Sequence, residues 1–137
     1  MATATRNDIL ASNLLFATIG LFVLHQIAGW VANALAPDQT LFHPTHFNLL
    51  TAAGLSVFAL LRGILYYGVW RGVLAAKWLV AIGFIVFLYA NTYWRASIIA
   101  GVSYAKFSFD SLVLLLTNLL TLAAVVLMFR KSRVTTV

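Results

Sequence analysis

Four long apolar stretches dominate this chain of 137 residues, and their length limits the folds open to it. They cover about residues 12–35, 47–70, 77–94 and 111–129. A helix needs about 20 apolar residues to cross a bilayer, and helices that are apolar on every face are buried in a core or in a membrane. The stretches also lack the alternating pattern of a transmembrane barrel strand. The sequence therefore predicts an all-α integral membrane protein, a four-helix transmembrane bundle formed by a single four-span domain.

The composition excludes several other classes of protein. Apolar residues make up 63% of the chain and charged residues only 9%, whereas an ordinary soluble domain is about one quarter charged. A disordered protein needs the opposite balance, with low hydrophobicity and high charge. The chain has no cysteine, which excludes disulfide scaffolds and thiolate metal sites.

The basic residues are divided unequally between the two sides of the predicted bundle. Six lie on the side of the termini, namely Arg6, Arg71, Lys77, Arg130, Lys131 and Arg133, and two lie on the other side, Arg95 and Lys106. Loops rich in lysine and arginine stay in the cytoplasm. We therefore predict a protein of the cell membrane with both termini cytoplasmic (N-in/C-in). The net charge of +6 follows from this topology, so the predicted partner is the lipid bilayer and no nucleic acid.

The segment 95–110 is too apolar for a free loop, with Ile98, Ile99, Tyr104 and Phe107 among its residues. Two interpretations fit: it extends the third span, or it lies at the membrane surface as an interfacial piece. We favour the interfacial interpretation, because lipid-exposed backbone that is not helical cannot lie deeper in the membrane.

Arg62 is the most unusual residue of the spans. It lies roughly 6 Å from the midplane of the second span at 1.5 Å per residue, where an arginine costs roughly 2.5–3.5 kcal/mol on insertion scales. The acids are Asp8, Asp38 and Asp110, all outside the span cores, and the chain has no glutamate. Arg62 therefore has no carboxylate partner inside the predicted membrane, which favours an anion or headgroup contact within the bundle. The alternative is that the long side chain snorkels toward the inner interface.

The other spans carry polar residues that prefer protein or water to lipid. His25 and Gln26 lie near the middle of the first span, Asn91 lies in the third and Asn118 in the fourth. With Arg62 they form a predicted substrate pathway or helix interface. The simpler interpretation is hydrogen bonding between helices, worth about 0.6 kcal/mol per contact.

His43 and His46 form a weak candidate metal site in the first loop. Two imidazoles near Asp38 have the right chemistry for zinc or copper, but Pro44 prevents a helical presentation and no third strong ligand is fixed. We therefore predict no metal and no cofactor. The chain also lacks a nucleophile with its base, paired carboxylates and a phosphate-binding glycine loop, so we predict no enzymatic activity.

Two functions fit these observations. The first is a small oligomeric membrane channel or transporter for a small anionic or polar solute, with Arg62 as the anion contact inside the membrane. The alternative is a non-catalytic accessory or assembly subunit of a larger membrane protein complex, in which Arg62 pairs with a carboxylate of a partner helix. The predicted partner is accordingly a second copy of the chain or a larger membrane protein. A membrane-embedded enzyme or metal site that uses His25, His43 and His46 is a weaker third hypothesis.

Overall fold

A computed structural model describes residues 4–35, 48–99 and 109–130, with the side chains of these residues except 91–99 and 109–111. This part of the chain forms four helices: α1 (Arg6–Leu35), α2 (Leu49–Trp70), α3 (Leu74–Ile99) and α4 (Phe109–Phe129). The prediction of an all-helical protein with four helices is confirmed.

Within the residues whose side chains the structure describes, which end at Ala90 in α3, three helices are long and apolar enough to cross a membrane. They are α1, α2 and the Leu112–Phe129 part of α4, whereas α3 contributes a shorter apolar stretch, Leu74–Ala90. Large apolar side chains such as Leu24, Leu60 and Ile85 lie on the outside of the bundle, each more than 60% exposed. An apolar outer surface of this kind is suited to a hydrocarbon environment.

The helices form a ring in which α1 packs on α2 and α4, and α3 packs on the same two helices. Two aromatic pairs show that α1 and α2 run antiparallel. The ring centroids of Phe16 and Tyr66 lie 6.0 Å apart, and those of Phe22 and Phe58 lie 6.4 Å apart. Residue numbers therefore rise along α1 while they fall along α2, as expected for neighbours in a bundle with short connections.

Helix α1 begins at Arg6, six residues before the predicted span, because it has a capping box. The Thr5 hydroxyl accepts a hydrogen bond from the Asp8 amide at 3.3 Å, and the Asp8 carboxylate accepts one from the Thr5 amide at 3.0 Å. This reciprocal pair satisfies two amides that a helix start otherwise leaves free. The polar first turn thus belongs to α1, although it is too polar to belong to an apolar span.

A tight turn joins α2 to α3. The Gly72 amide donates to the Val69 carbonyl at 2.8 Å and the Val73 amide donates to the Gly68 carbonyl at 2.9 Å, which is the Schellman arrangement of a helix C-terminus. Gly72 has a φ of 75°, a conformation that glycine adopts without steric cost. Just beyond the turn, a Cβ atom at Gly68 would lie 2.9 Å from the Cβ of Ala76, so α2 and α3 approach closely here.

Helix α3 is longer than predicted at both ends. It begins at Leu74 and continues to Ile99, so residues 95–99 extend the third helix. The interfacial interpretation of segment 95–110 is therefore wrong for these five residues, because a continuous helix satisfies their backbone groups. Residues 100–108 lie outside the described part of the chain, and 109–110 begin α4.

One half of the bundle is tightly filled, and we call it the closed half. Its core is a cluster of buried residues from all four helices: Ala11, Leu15, Tyr66, Val69, Ala76, Val80, Ala124 and Met128. The Ser12 hydroxyl donates a hydrogen bond to the Tyr66 carbonyl at 2.9 Å, which ties α1 to α2.

An ion pair closes the end of this half. The ammonium group of Lys77 on α3 lies 2.5 Å from a carboxylate oxygen of Asp8 on α1, and the two side chains are 13% and 1% exposed. At the same end, the Asn7 side chain donates to the Arg130 carbonyl after α4 at 3.3 Å. The ion pair and the hydrogen bond bring the start of α1, the start of α3 and the end of α4 to one end of the bundle, which we call the basic end.

Candidate functional site

The other half of the bundle is hollow and holds a cavity of about 620 Å³, which we call the bundle cavity. All four helices line it, and it is partly open to the outside. Tyr66 and Val80 belong both to its lining and to the core cluster, so they separate the cavity from the closed half. The polar and charged residues that line it are His25, Gln26, Arg62, Tyr66, Thr117, Asn118 and Thr121.

The guanidinium group of Arg62 lies over the ring of Phe58, 4.4 Å from the ring centroid. Phe58 is one turn nearer the N-terminus of α2, which is the direction in which helical side chains lean. The side chain therefore extends away from the Trp70 end of α2 and toward the middle of the helix. Snorkelling toward the basic end requires the opposite direction for the side chain, and it stays a prediction.

The contact with Phe58 stabilises the guanidinium only in part. A cation over an aromatic face is worth about 0.5–2 kcal/mol, depending on how far it is desolvated. Asp8 is the one acid among the described side chains, and it is paired with Lys77. Within the described side chains, Arg62 thus faces an aromatic ring and polar neutral groups rather than a carboxylate. Because guanidinium groups keep their charge in proteins, the cavity has a positive wall.

Besides Tyr66 of α2, the neutral polar groups of the described cavity lining come from α1 and α4. Gln26 and Asn118 contribute amides, which both donate and accept hydrogen bonds. Thr117 and Thr121 follow the same face of α4, and the Thr121 hydroxyl donates to the Thr117 carbonyl at 2.8 Å. His25 lies next to Gln26 on the α1 wall. Groups of this kind bind an anion or a polar solute through donated hydrogen bonds.

As far as its side chains are described, to Ala90, helix α3 supplies an apolar wall. Its lining residues are Leu79, Val80, Gly83, Phe84 and Phe87, which fall at the three- and four-residue spacing of one helix face. A Cβ atom added at Gly83 would meet no heavy atom within 4 Å. The α3 wall therefore borders open space at Gly83.

The structure brings four of the five predicted site residues together. His25, Gln26, Arg62 and Asn118 all line the bundle cavity, although they come from three different helices. Asn91 lies on α3 near the end opposite the basic end, and its side chain is outside the described part. That these residues act on a solute remains a prediction.

The metal hypothesis concerns residues outside the described ranges, since both His43 and His46 lie in segment 36–47. Within the described ranges, no three histidine, aspartate or glutamate side chains come close enough together to hold a metal ion. His25 lies among the polar residues that line the cavity.

Sequence reasoning missed most of the cavity wall because it followed polar residues only. Phe58, one turn before Arg62, was detectable from the i, i+4 spacing that brings helical side chains into contact. The α3 face was detectable from the spacing of Leu79, Gly83 and Phe87. Which face of α3 turns inward was not, because residues 78–90 of α3 are apolar on every face.

Comparison with protein-family models, with curated proteins and with solved structures gives no match to this chain.

Proposed function

We propose that the protein is a small oligomeric membrane channel or transporter for a small anionic or polar solute, in which Arg62 is the anion contact inside the membrane. The observation that carries the proposal is the position of the Arg62 guanidinium, which lies over Phe58 in a cavity within the bundle. Charged residues inside membrane bundles commonly mark substrate or ion pathways. The proposal assigns the protein no catalysis and no cofactor.

The arrangement of the cavity supports this function in two ways. Arg62, Gln26 and Asn118 supply hydrogen-bond donors from three helices to one space, so an anion that loses water has replacements for it. The closed half, with its Asp8–Lys77 ion pair, blocks the cavity at one end. A pathway through the membrane therefore needs either a rearrangement of the closed half or a route between copies of the chain.

The proposal includes a four-span topology in the cell membrane with the basic end in the cytoplasm. Arg6, Arg71, Lys77 and Arg130 all belong to that end, and cytoplasmic sides of membrane proteins are rich in such residues. Because the chain has no cysteine, single cysteines at Asn48 and Arg71 report the topology without background. We expect a membrane-impermeant thiol reagent to label Asn48→Cys in intact cells, and Arg71→Cys only after permeabilisation. Labelling of both in intact cells contradicts this orientation.

Anion flux tests the function directly. The purified protein is reconstituted in phosphatidylcholine vesicles, and the entry of chloride, nitrate, acetate and benzoate is followed with the membrane potential clamped. We expect protein-dependent flux of at least one of these anions. Arg62→Ala should reduce it roughly 10- to 100-fold, because hydrogen bonds to a charged group are worth about 1.5–3 kcal/mol.

Arg71→Ala is the matched control for this experiment. Arg71 is the exposed C-cap residue of the same helix, so its replacement removes the same charge outside the cavity, and flux should persist. Flux that is the same in wild type and Arg62→Ala contradicts the role of Arg62. Absence of flux for every anion, in vesicles that contain the folded protein, contradicts transport.

The second candidate function is the accessory subunit, in which a carboxylate from a partner helix enters the open side of the cavity and pairs with Arg62. The same observation favours it, because no described carboxylate faces the guanidinium. The native mass after gentle extraction from the membrane separates the two candidates. A homo-oligomer of this chain supports the channel or transporter. A stoichiometric larger partner, lost on Arg62→Ala, supports the accessory subunit.

A further inference from the structure

The two sides of the bundle cavity differ in chemistry. Arg62, Gln26 and Asn118 on α2, α1 and α4 offer a cation and two amides, whereas the lining residues of α3 whose side chains are described are all apolar. A hydrated inorganic ion gains nothing from the described part of the α3 wall, because none of those lining residues has a side-chain group that replaces lost water. A ligand complementary to the whole cavity has one polar end and one apolar end.

The size of the cavity also favours a ligand with one polar end and one apolar end. Its volume of about 620 Å³ falls in the range of about 300–1,000 Å³ that is typical of sites for drug-sized molecules. Chloride or acetate would fill only a small part of it. The aromatic side chains Phe22, Phe58, Phe84 and Phe87 line much of the remaining surface, and aromatic groups pack well against such rings.

The charge of the ligand follows from the charges of the wall. Arg62 is the one lysine or arginine that lines the cavity among the described residues. One guanidinium binds one carboxylate or sulfonate group in a bidentate manner. A second negative charge on the ligand would lie against amides or aromatic rings without a cation to balance it.

We propose that the bundle cavity binds an amphipathic monoanion, whose single carboxylate, sulfonate or phosphodiester group contacts Arg62 and whose aromatic or acyl part lies against the Leu79–Phe87 face of α3. This inference names the ligand class of the cavity and rests on the proposed function for its role in transport. The ligand reaches the cavity either from water, as an organic acid, or from the bilayer, as an anionic lipid.

Gly83 provides a way to fill the cavity without disturbing the helices. A side chain at this position enters open space, and leucine favours a helix more than glycine does. Gly83→Leu should therefore fold and occupy the space where the apolar part of the ligand lies. Gly54 on α2 is the matched control, since a Cβ atom there also meets nothing within 4 Å, but Gly54 does not line the cavity.

Equilibrium dialysis tests the proposal with the full chain in phosphatidylcholine nanodiscs, and empty nanodiscs correct for partition into lipid. The probes are 2-naphthoate, benzoate, acetate and chloride, with 2-naphthylmethanol as the uncharged analogue of the first. We expect saturable binding of 2-naphthoate, roughly tenfold or more above acetate because more apolar surface is buried. Removal of the charge in 2-naphthylmethanol should weaken binding roughly 10- to 100-fold.

The variants assign the binding to the two walls of the cavity. Arg62→Ala should weaken 2-naphthoate binding to the level of 2-naphthylmethanol, and Gly83→Leu should weaken 2-naphthoate binding because the leucine side chain occupies part of the same space. Arg71→Ala and Gly54→Leu should bind like the wild type. Circular dichroism and thermal unfolding of each variant show that it remains folded.

Two outcomes overturn the proposal: no saturable binding of 2-naphthoate to the folded protein, or equal binding of 2-naphthoate to wild type and Gly83→Leu.

Nanodiscs that contain phosphatidylglycerol separate the two sources of ligand. Suppression of 2-naphthoate binding there identifies an anionic lipid as the occupant, and unchanged binding identifies a soluble organic acid. Arg62-dependent flux of chloride or acetate without 2-naphthoate binding refutes this inference and leaves the proposed function intact. Binding of 2-naphthoate without flux of any anion supports this inference and contradicts the proposed function.

Discussion

The closed half and the hollow half of the bundle are built from the same four helices, but the first is filled with buried side chains and the second encloses a cavity. In α1, the residues Asp8, Ala11, Ser12, Leu15 and Thr18 are all buried, and beyond them the helix buries only Gly29. The first part of α1 therefore holds the bundle together, whereas the second part borders the cavity with His25 and Gln26. The comparison teaches that stability and binding are separated along the helix axis, so substitutions in the two halves should give different readouts.

The Asp8–Lys77 ion pair should give the largest effect on stability. Removing one partner of a buried ion pair typically costs about 3–5 kcal/mol, because the other charge is left uncompensated. We expect Asp8→Asn or Lys77→Met to lower the free energy of unfolding in detergent by about this amount. The double variant should lose less than the sum of the two. Additive losses contradict a direct coupling between the two groups.

Leu15→Ala and Leu114→Ala test the comparison with one substitution in each half of the bundle. Leu15 is 0% exposed in the core cluster, whereas Leu114 lines the cavity. Replacing a buried leucine by alanine costs roughly 2–5 kcal/mol in soluble cores. Because lipid tails are as apolar as leucine, we expect the lower end for Leu15→Ala, about 2 kcal/mol, and less than about 1 kcal/mol for Leu114→Ala. Equal losses in thermal or denaturant unfolding refute the division into two halves.

Two glycines should respond with opposite signs. Gly68→Ala places its Cβ atom 2.9 Å from the Cβ of Ala76, and overpacking of this kind costs about 1–3 kcal/mol. Gly83→Ala meets no heavy atom within 4 Å, so the higher helix propensity of alanine should stabilise it by up to about 1 kcal/mol. The melting temperatures of both variants, compared with the wild type, check the two signs. A stabilised Gly68→Ala contradicts the close approach of α2 and α3.

Ser12→Ala should give the smallest measurable loss in the closed half. The variant loses the hydrogen bond from the Ser12 hydroxyl to the Tyr66 carbonyl, and such contacts between membrane helices average about 0.6 kcal/mol. Thr18→Val is the control, because the Thr18 hydroxyl donates to the Leu15 carbonyl of its own helix at 2.7 Å. A loss above about 2 kcal/mol for Ser12→Ala, measured by unfolding in detergent, indicates a role beyond this bond.

The sequence was sufficient to predict that the helices exist, but it was insufficient to predict where they end and which of their residues are in contact. Apolar length predicts α1, α2 and α4, because the bilayer sets that length. The first turn of α1 was missed because Arg6, Asn7 and Asp8 are polar, and a capping box rather than hydrophobicity places them in the helix. The Asp8–Lys77 pair joins residues distant in sequence. Its only signal was that an acid and a lysine lie on the same predicted side of the membrane.

The polar residues of the candidate site were predictable from the sequence. His25, Gln26, Arg62 and Asn118 are conspicuous because polar groups inside apolar helices are costly, and the structure places all four around one space. The volume of that space was not predictable, since it depends on how close α3 comes to the other helices. Gly83 and Phe84 illustrate this, because apolar residues of the same types line cavities and face lipid.

The turn at Gly72 links the entry of α3 into the membrane to that of α2. With only Arg71, Gly72 and Val73 between the two helices, α2 and α3 form a hairpin too short for α3 to remain in water while α2 crosses the bilayer. If α2 crosses a bilayer, α3 is therefore inserted together with it and not alone. A helix inserted in this way can keep Asn91 and Arg95 near its far end, where a helix that had to enter the bilayer alone would need leucines.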